Sequence, residues 1–420
     1  MGFKPYETAL RKKAEEWIKK TGNIDILVGI PAYNNEDTIS YVVEQAGIGL
    51  SEYFPQMKTG IFVSDGGSTD NTRENSESVK IDSKVSKIVD IYRGIPGKGT
   101  SFRAIFETAK RLGTKAIIVV DSDLRSITPE WIKVLAEPVL KGETCFLAPL
   151  YKRHKYDGTI TNMLVYPVTR ALYGKRVRQP IGGDFSFSGK LAQLYAEKDV
   201  WMSDIAKFGI DIWMTTVAIN ETNDISQVNL GVKVHNAKDP AQDLVHMFIQ
   251  VISTMFFLMG DYEDRWINIE NSEDIPTLKG VSSKFNIPEI KVNLKKLNDE
   301  FLDGFEQFKS LYKDILSPKS FNGLDRVYGK KKRGNGLYID ADLWSNIVYD
   351  SAYTFHNWSR NRRRLINILA PLYFGRTASY VEETETMNWQ QAEDIIQKQA
   401  EIFEKNKNYL KNRILRWEEI

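Results

Sequence analysis

The sequence predicts an α/β fold, a Rossmann-like mixed sheet with helices on both faces, followed by a helical C-terminal region. Three observations predict it. Short apolar runs rich in β-branched residues recur at 24–30, 60–64, 87–92 and 116–120, and strands covered on both faces read as such continuous runs. Each run ends in a turn of Gly, Pro, Asn or Asp and is followed by a helix-forming stretch, the alternation that builds parallel sheets. From Glu270 onward strand periodicity is lost and the chain reads as helices. This gives a sheet domain over 1–265 and a mainly helical region over 266–420.

Composition narrows the class. The 420 residues are 42% hydrophobic and 27% charged, ordinary for a globular protein. Lys plus Arg number 57 against 55 Asp plus Glu, a net charge of +2 that sets up no bulk field for nucleic acid. The single cysteine, Cys145, excludes an internal disulfide framework and a cysteine-built zinc site, and a cytoplasmic location is expected. Lys4 to Lys20 reads as an amphipathic helix with Ala9, Ala14 and Trp17 as its apolar positions, not as a signal peptide. Val245 to Met259 is the most apolar run, but it is short for a membrane span and contains Gln250, Ser253 and Thr254. It is expected to be a buried core helix, with no membrane partner. The basic run Lys330 to Arg333 is expected to be a solvated loop.

Taken in order, the turns after the strands carry the chemistry. The first strand runs into Pro31, Ala32, Tyr33 and Asn34, then a polar helix start at Asn35 to Thr38. The second ends in Asp65-Gly66-Gly67-Ser68-Thr69-Asp70. There the glycines permit a tight turn, Thr69 or Asp70 suits a helix cap, and Asp65 is placed to accept from a base N–H. Behind the third strand, Arg93 to Thr100 places Gly97, Lys98 and Gly99 at the start of a helix over 101–112. Glycine-rich backbone and a lysine at a helix N-terminus suit a diphosphate. The Walker spacing is missing, which argues against P-loop hydrolysis. The fourth strand delivers Asp121, Ser122 and Asp123, two carboxylates one residue apart that suit Mg²⁺ or Mn²⁺. In an open parallel sheet all four turns lie along one edge, where ligands bind.

The series IPAYNNEDTI, VSDGGSTDNT, GKG and DSD resembles the nucleotide-sugar glycosyltransferases of the A-type fold over roughly 24–150. The later segments narrow the resemblance. A strand at 144–149 precedes Tyr156-Asp157-Gly158-Thr159-Ile160-Thr161-Asn162, which opens a helix running through Tyr166. Then come Gln179-Pro180-Ile181-Gly182-Gly183-Asp184, Gly209-Ile210-Asp211 and Lys233-Val234-His235-Asn236. This order resembles the retaining mannosylglycerate and glucosyl-3-phosphoglycerate synthases.

The resemblance implies a divalent metal, Mg or Mn, on Asp121, Asp123 and His235. It implies nucleotide-sugar binding by Pro31, Ala32, Tyr33, Asn34, Asp65 and Ser122, with Gly97, Lys98, Gly182 and Gly183 on the sugar diphosphate side. Lys98, Asp184 and Asp211 are the expected catalytic groups, the two acids near the sugar. Gly158, Thr159, Ile160, Thr161 and Asn236 are the expected acceptor positions. The phosphoglycerate-using relatives carry an Arg directly after the glycine, where this chain has Thr159. A Thr cannot neutralise a phosphate, which favours D-glycerate, although Lys152, Arg153 and Lys155 lie close by in sequence. The segment Ala370 to Arg376 resembles the family's helical tail, which implies a homodimer.

The reaction implied is retaining transfer of glucose or mannose from a UDP- or GDP-sugar to glycerate, as in compatible-solute synthesis. The alternatives are transfer to 3-phosphoglycerate, a polyprenyl-phosphate glycosyltransferase, and a non-catalytic nucleotide-sugar sensor. The first needs another cation for the phosphate, the second a longer apolar tail, and the third the loss of the acidic pair.

Overall fold

The computed structural model describes residues 6–235, 244–282, 285–358 and 361–418. The chain forms two compact units, neither of them one continuous stretch. The first comprises Met1–Arg153, Gln179–Asn236 and Ile275–Pro288, and the second His154–Arg178, Ala237–Asp274 and Glu289–Ile420.

In the first unit, strands and helices alternate as predicted. They are α1 (Lys12–Thr21), β1 (Ile26–Ala32), α2 (Ile39–Tyr53), β2 (Thr59–Asp65), α3 (Thr72–Ser78), β3 (Val85–Ile91), α4 (Lys98–Leu112), β4 (Ala116–Val119), α5 (Pro129–Leu140) and β5 (Phe146–Lys152). The second unit takes up the chain through a π-helical turn, Thr161–Val165, and α6 (Tyr166–Tyr173). Back in the first unit come β6 (Phe185–Ser188), α7 (Gly189–Glu197), a 3₁₀ turn at Asp204–Ala206, α8 (Ile210–Thr222) and β7 (Ile225–Val232). The rest of the second unit is α9 (Val245–Asp261), α10 (Glu263–Trp266), α11 (Leu294–Ile315), α12 (Pro318–Lys332), α13 (Ala341–Asn357), α14 (Arg362–Thr384) and α15 (Trp389–Glu418). The two-residue β8 (Thr277–Leu278) belongs to the first unit.

The strands make one mixed sheet of order β3-β2-β1-β4-β6-β5-β7-β8. Every pairing is parallel except those of β6, which runs antiparallel to both β4 and β5. This reversal matters for the site. Parallel strands bring their carboxyl ends to one edge, and an antiparallel strand brings its amino end there. Asp184, immediately before β6, therefore meets Asp121, just beyond β4. All residues of β1, β2 and β4 are buried, as their unbroken apolar runs require. Side chains from β1, β4, α2 and α5 close one core on the sheet.

Three local expectations shift. The N-terminal helix begins at Lys12 rather than Lys4, with Ala14 and Ile18 buried. Trp17 instead lies half-buried and donates from its indole to Ser86 Oγ, against β3. Lys330, Lys331 and Lys332 form the last turn of α12, not a loop; cations there face the negative end of the helix dipole. The first long helix after Glu270 starts only at Leu294.

The helical unit is tied by buried polar anchors. Trp344 donates to Met163 O at 2.7 Å, Tyr312 to Ile368 O at 2.6 Å and Tyr349 to Phe403 O at 2.7 Å. α9 has the buried apolar face expected of a core helix. No described helix is long and apolar enough to cross a membrane. The 370–376 segment lies inside α14, as the helical-tail reading required.

Candidate active site

At the carboxyl edge of the sheet five ionisable side chains of the first unit interlock. Lys98 opens α4 and its Nζ lies 2.9 Å from Asp121 Oδ1 and 3.1 Å from Asp211 Oδ2. Lys233, directly after β7, lies 2.9 Å from Asp121 Oδ2 and 2.9 Å from Asp184 Oδ2, and it also donates to Gly182 O. Asp184 Oδ1 accepts from the Asp121 backbone N–H at 2.8 Å. The Tyr151 hydroxyl, one residue beyond a register shift in β5, donates to Asp184 Oδ2. Gly183 has φ +89°, and a Cβ there would stand 2.1 Å from Asp121 Oδ2, so only glycine lets the loop close over the carboxylate.

The charges hold one another in place. Burial alone pushes Asp121 up, but Lys233 and Lys98 outweigh it and keep its carboxyl well below the usual range. Burial likewise disfavours charge on both lysines, and their carboxylate partners more than restore it: Lys98 and Lys233 end above the ordinary lysine value. Asp184 and Asp211 are pushed up, first by burial, with Asp121 adding like charge in both cases. Tyr151 stays a phenol, since burial and the neighbouring Asp184 raise it far above its ordinary value.

Beside this ladder stands a separate pair. His235 Nδ1 lies 3.8 Å from Asp123 Oδ2. A short strap presents it: Val234 O accepts from Arg125 N at 2.8 Å, and Val234 N donates to Ser126 Oγ at 2.9 Å. With Val234 held this way, its neighbours Lys233 and His235 reach Asp121 and Asp123 respectively. The three expected metal ligands are thus divided. Asp123 and His235 come together, whereas both oxygens of Asp121 are taken by lysines. Among the described residues no three His, Cys, Asp or Glu side chains converge. The Asp123–His235 donor set fits a hard divalent cation that takes its other ligands from substrate oxygens and water, the usual habit of Mg²⁺.

The other expected positions divide between surface and scaffold. Tyr33 is exposed, at 60%, beyond the end of β1, and a Cβ on Gly66 would lie 3.1 Å from its ring. Pro31 and Ala32 end β1, and Asn34 ties the first two loops together through Ser68 Oγ and the Thr69 N–H. Asp65 is fully buried. Its Oδ1 accepts from the N–H groups of Gly67 and Ser68 at 2.8 and 2.9 Å, and its Oδ2 from Ser68 Oγ. It shapes its own turn instead of presenting an oxygen to a base. Ser122 is similarly committed, donating to Asn35 Oδ1.

Gly97 and Gly99 are needed for close packing. A Cβ on Gly99 would stand 1.8 Å from Ile205 O, and its N–H already donates to Lys207 O at 3.0 Å. The first turn of α4 is therefore covered by protein, and the Lys98 side chain is what this turn offers an anion.

The acceptor positions Gly158 to Thr161 belong to the second unit. Gly158 has φ +69°. Thr159 is fully buried, with its hydroxyl 2.6 Å from Tyr373 Oη. Ile160 is buried, and Thr161 opens the π-helical turn. Asn236 lies outside the described residues. Of the nearby cations, Lys155 is spent on the carbonyls of Thr384, Glu385 and Met387. Arg153, in the first unit, sits over the Tyr151 ring at 5.0 Å with its Nε buried and unpartnered among the described residues.

Sequence reasoning missed Lys233 and Tyr151. The signal for Lys233 was its place two residues before His235 at a strand end, which gives both side chains the same face.

The first unit is thus an α/β domain whose mixed sheet gathers acids and lysines at its carboxyl edge. Residues 27–200 match the model of Glycosyl transferase family 2. The fold is the glycosyltransferase A-type and the protein is a glycosyltransferase. Among solved structures the chain is similar to glucosyl-3-phosphoglycerate synthase from Mycobacterium tuberculosis in complex with Mn²⁺, UDP and phosphoglyceric acid. The identity is 23%, over 60% of this chain and 85% of that one, with a TM-score of 0.43. The same synthase with phosphoglyceric acid alone gives 24% identity over 60% and 87%, with a TM-score of 0.45. No curated protein matches the chain.

Proposed function

We propose that this glycosyltransferase moves glucose or mannose, with retention, from a nucleoside diphosphate sugar to a small carboxylate-bearing acceptor, D-glycerate first. The observation that carries the reading is the adjacency of the Asp123–His235 pair to the Lys98–Asp121–Lys233–Asp184 ladder at the ligand edge of the sheet. Tyr33 offers an exposed aromatic face for the base. Lys98 supplies fixed positive charge for the leaving diphosphate, a preorganised stabilisation of developing charge. Asp123 and His235 would hold the divalent cation, which when bound supplies Lewis-acid neutralisation of that diphosphate.

For the acceptor, Lys152 is exposed at the end of β5, whereas Arg153 has a buried Nε to spare, and its planar fork suits a carboxylate. Gly158, Ile160, Thr161 and Asn236 stay proposed acceptor positions by resemblance.

The test is a matrix of UDP- and GDP-linked glucose and mannose against D-glycerate, 3-phosphoglycerate and lactate, with Mg²⁺, Mn²⁺ or chelator. Metal-dependent glycosylation of glycerate supports the reading. Equal rates with chelator overturn the metal assignment, and preference for 3-phosphoglycerate overturns the acceptor. No transfer with any pair overturns the donor class.

A further inference from the structure

The helical unit carries a cavity of its own. About 420 Å³ lies between α12, the 333–340 connection and the start of α13, wholly within the second unit. That is room for one small molecule. The two helices meet tightly beside it: a Cβ on Gly323 would stand 2.8 Å from Leu343 Cδ1, and Ser320 is fully buried. The lining is divided in charge. α12 contributes Arg326 and Lys330, four residues apart and so neighbours on one helix face. Other cations of this helix are spent, Lys331 on Glu382 and Lys332 on Glu306. Arg326 and Lys330 pair with no carboxylate among the described residues, although both line the cavity. The α13 side contributes Asp340 and Asp342. Asp340 Oδ1 caps the helix by accepting from the Leu343 N–H at 2.8 Å, and Asp342 Oδ1 accepts from Asn406 at 2.9 Å. Both acids are exposed, and a carboxylate has lone pairs for further donors. Tyr338, 55% exposed, adds an aromatic face from the connection.

We propose that this cavity is a binding site for a sugar phosphate. Two cations one turn apart repel each other, and a dianion between them turns that repulsion into attraction. The Arg326 fork and the Lys330 ammonium both give charge-assisted hydrogen bonds to phosphate oxygens. Asp340 and Asp342 repel a second anionic group but accept well from hydroxyls. Tyr338 offers an apolar ring face, which suits the C–H side of a sugar. One anionic end, several hydroxyls and one apolar face together describe a phosphorylated sugar. Inorganic phosphate leaves the acids and Tyr338 unused. A mononucleotide finds a single aromatic ring for its base and fewer hydroxyls for the two acids. The site belongs to the second unit and depends neither on the donor nor on the acceptor proposed above.

The experiment is calorimetric binding of glucose 1-phosphate, glucose 6-phosphate, AMP, glucose and inorganic phosphate to the full chain. The variants are Arg326→Met, Lys330→Met, Tyr338→Ala, Lys332→Met and Lys98→Met. The wild type is expected to bind at least one sugar phosphate more tightly than glucose, inorganic phosphate or AMP. Arg326→Met and Lys330→Met should each weaken that binding on the order of tenfold or more, the loss of one charge-assisted bond. Tyr338→Ala should weaken the sugar phosphate and leave inorganic phosphate unchanged. Lys332→Met, whose partner is Glu306, and Lys98→Met, in the candidate active site, should bind as the wild type does. Arg326 and Lys330 are exposed, and unfolding midpoints show that each variant is folded; Arg326→Gln and Lys330→Gln replace any that is not. A wild type that binds neither sugar phosphate overturns the inference. So does equal affinity for inorganic phosphate, which marks a bare anion patch, or tighter binding of AMP, which marks a nucleotide site. Binding lost in Lys98→Met and kept in Arg326→Met and Lys330→Met places the sugar phosphate in the first unit and overturns it as well.

Discussion

Lys233 Nζ stands 2.9 Å from Asp121 Oδ2, and the same ammonium lies 2.9 Å from Asp184 Oδ2. One buried cation therefore joins the ends of β4, β6 and β7. Removing one partner of such a pair strands the others, at a cost of about 3–5 kcal/mol. Lys233→Met is expected to lower unfolding stability by that order in denaturant titration. Adding Asp184→Asn, which removes one stranded charge, should return part of the loss. Equal stability of wild type and Lys233→Met would show that the ladder does not hold the edge together.

Asp123 and His235 should govern metal dependence, and Asp121 should not behave like them. Asp123→Ala is expected to lose at least about a hundredfold in transfer, a fraction of the several kcal/mol that Lewis-acid stabilisation supplies. His235→Ala should shift the Mn²⁺ titration of nucleotide binding to higher concentration. Asp121→Ala should show its main effect on unfolding, because both its oxygens are occupied by lysines. Mn²⁺ titrations identical in wild type and both the Asp123 and His235 variants would remove the pair from the metal.

Acid should destabilise the helical unit through His356. Its pKa is lowered, chiefly by burial and also by Arg362, although a bond to the Phe256 backbone opposes this. Its Nε2 is buried without a partner among the described residues, and a Cβ on Gly260 would stand 2.5 Å from its Cε1. The folded state thus binds the proton more weakly than the unfolded state. The stability tied to neutral His356 is fully present above the unfolded value of about 6.5 and is lost as pH falls through the folded value. Unfolding temperatures between pH 7.5 and 5 should fall for the wild type and less steeply for His356→Asn. Parallel curves would exclude His356 as the source.

The strands of the first unit were legible because β1, β2 and β4 are buried on both faces and so leave unbroken apolar runs. His235 was expected beside Asp123 only from the resemblance, since a lone His at a strand end is by itself no sign of a partner. Other features turn on distant contacts that no local pattern carries. Asp65 looked like a base reader, yet it is fully buried and its oxygens hold the turn through Gly67 and Ser68. Gly99 looked like a phosphate cradle, yet the backbone it admits is that of Ile205, more than a hundred residues later. The excursion of His154–Arg178 into the helical unit depends on partners such as Trp344 and Gln399. The basic run of α12 misled for a local reason. Four cations in a row resemble a solvated loop, but no Gly interrupts them before Gly334, and the helix continues to its capping residue Arg333.

Thr159 gives the sharpest contrast between sequence and structure. By resemblance it occupies the place of a phosphate-binding Arg, so Thr159→Arg reads as a switch towards 3-phosphoglycerate. In the structure the residue is fully buried and its hydroxyl meets Tyr373 Oη at 2.6 Å, with burial holding Tyr373 well above its ordinary value and so uncharged. A guanidinium forced into this place has neither room nor a counter-charge from these two hydroxyls. Thr159→Arg is therefore expected to destabilise the protein by about 1–3 kcal/mol, the range for overpacking a core, with no gain in 3-phosphoglycerate use. Thr159→Ser, which keeps the hydroxyl and removes a methyl, should cost less than about 1.5 kcal/mol. Arg153→Met is the variant expected to weaken the acceptor: the KM for an anionic acceptor should rise while unfolding stability changes little. The discriminating measurement is the acceptor KM for glycerate and 3-phosphoglycerate in all three variants, alongside their unfolding midpoints. A stable Thr159→Arg protein with improved phosphoglycerate KM, or an Arg153→Met protein with unchanged acceptor KM, would move the acceptor's anion from Arg153 to the Gly158 turn.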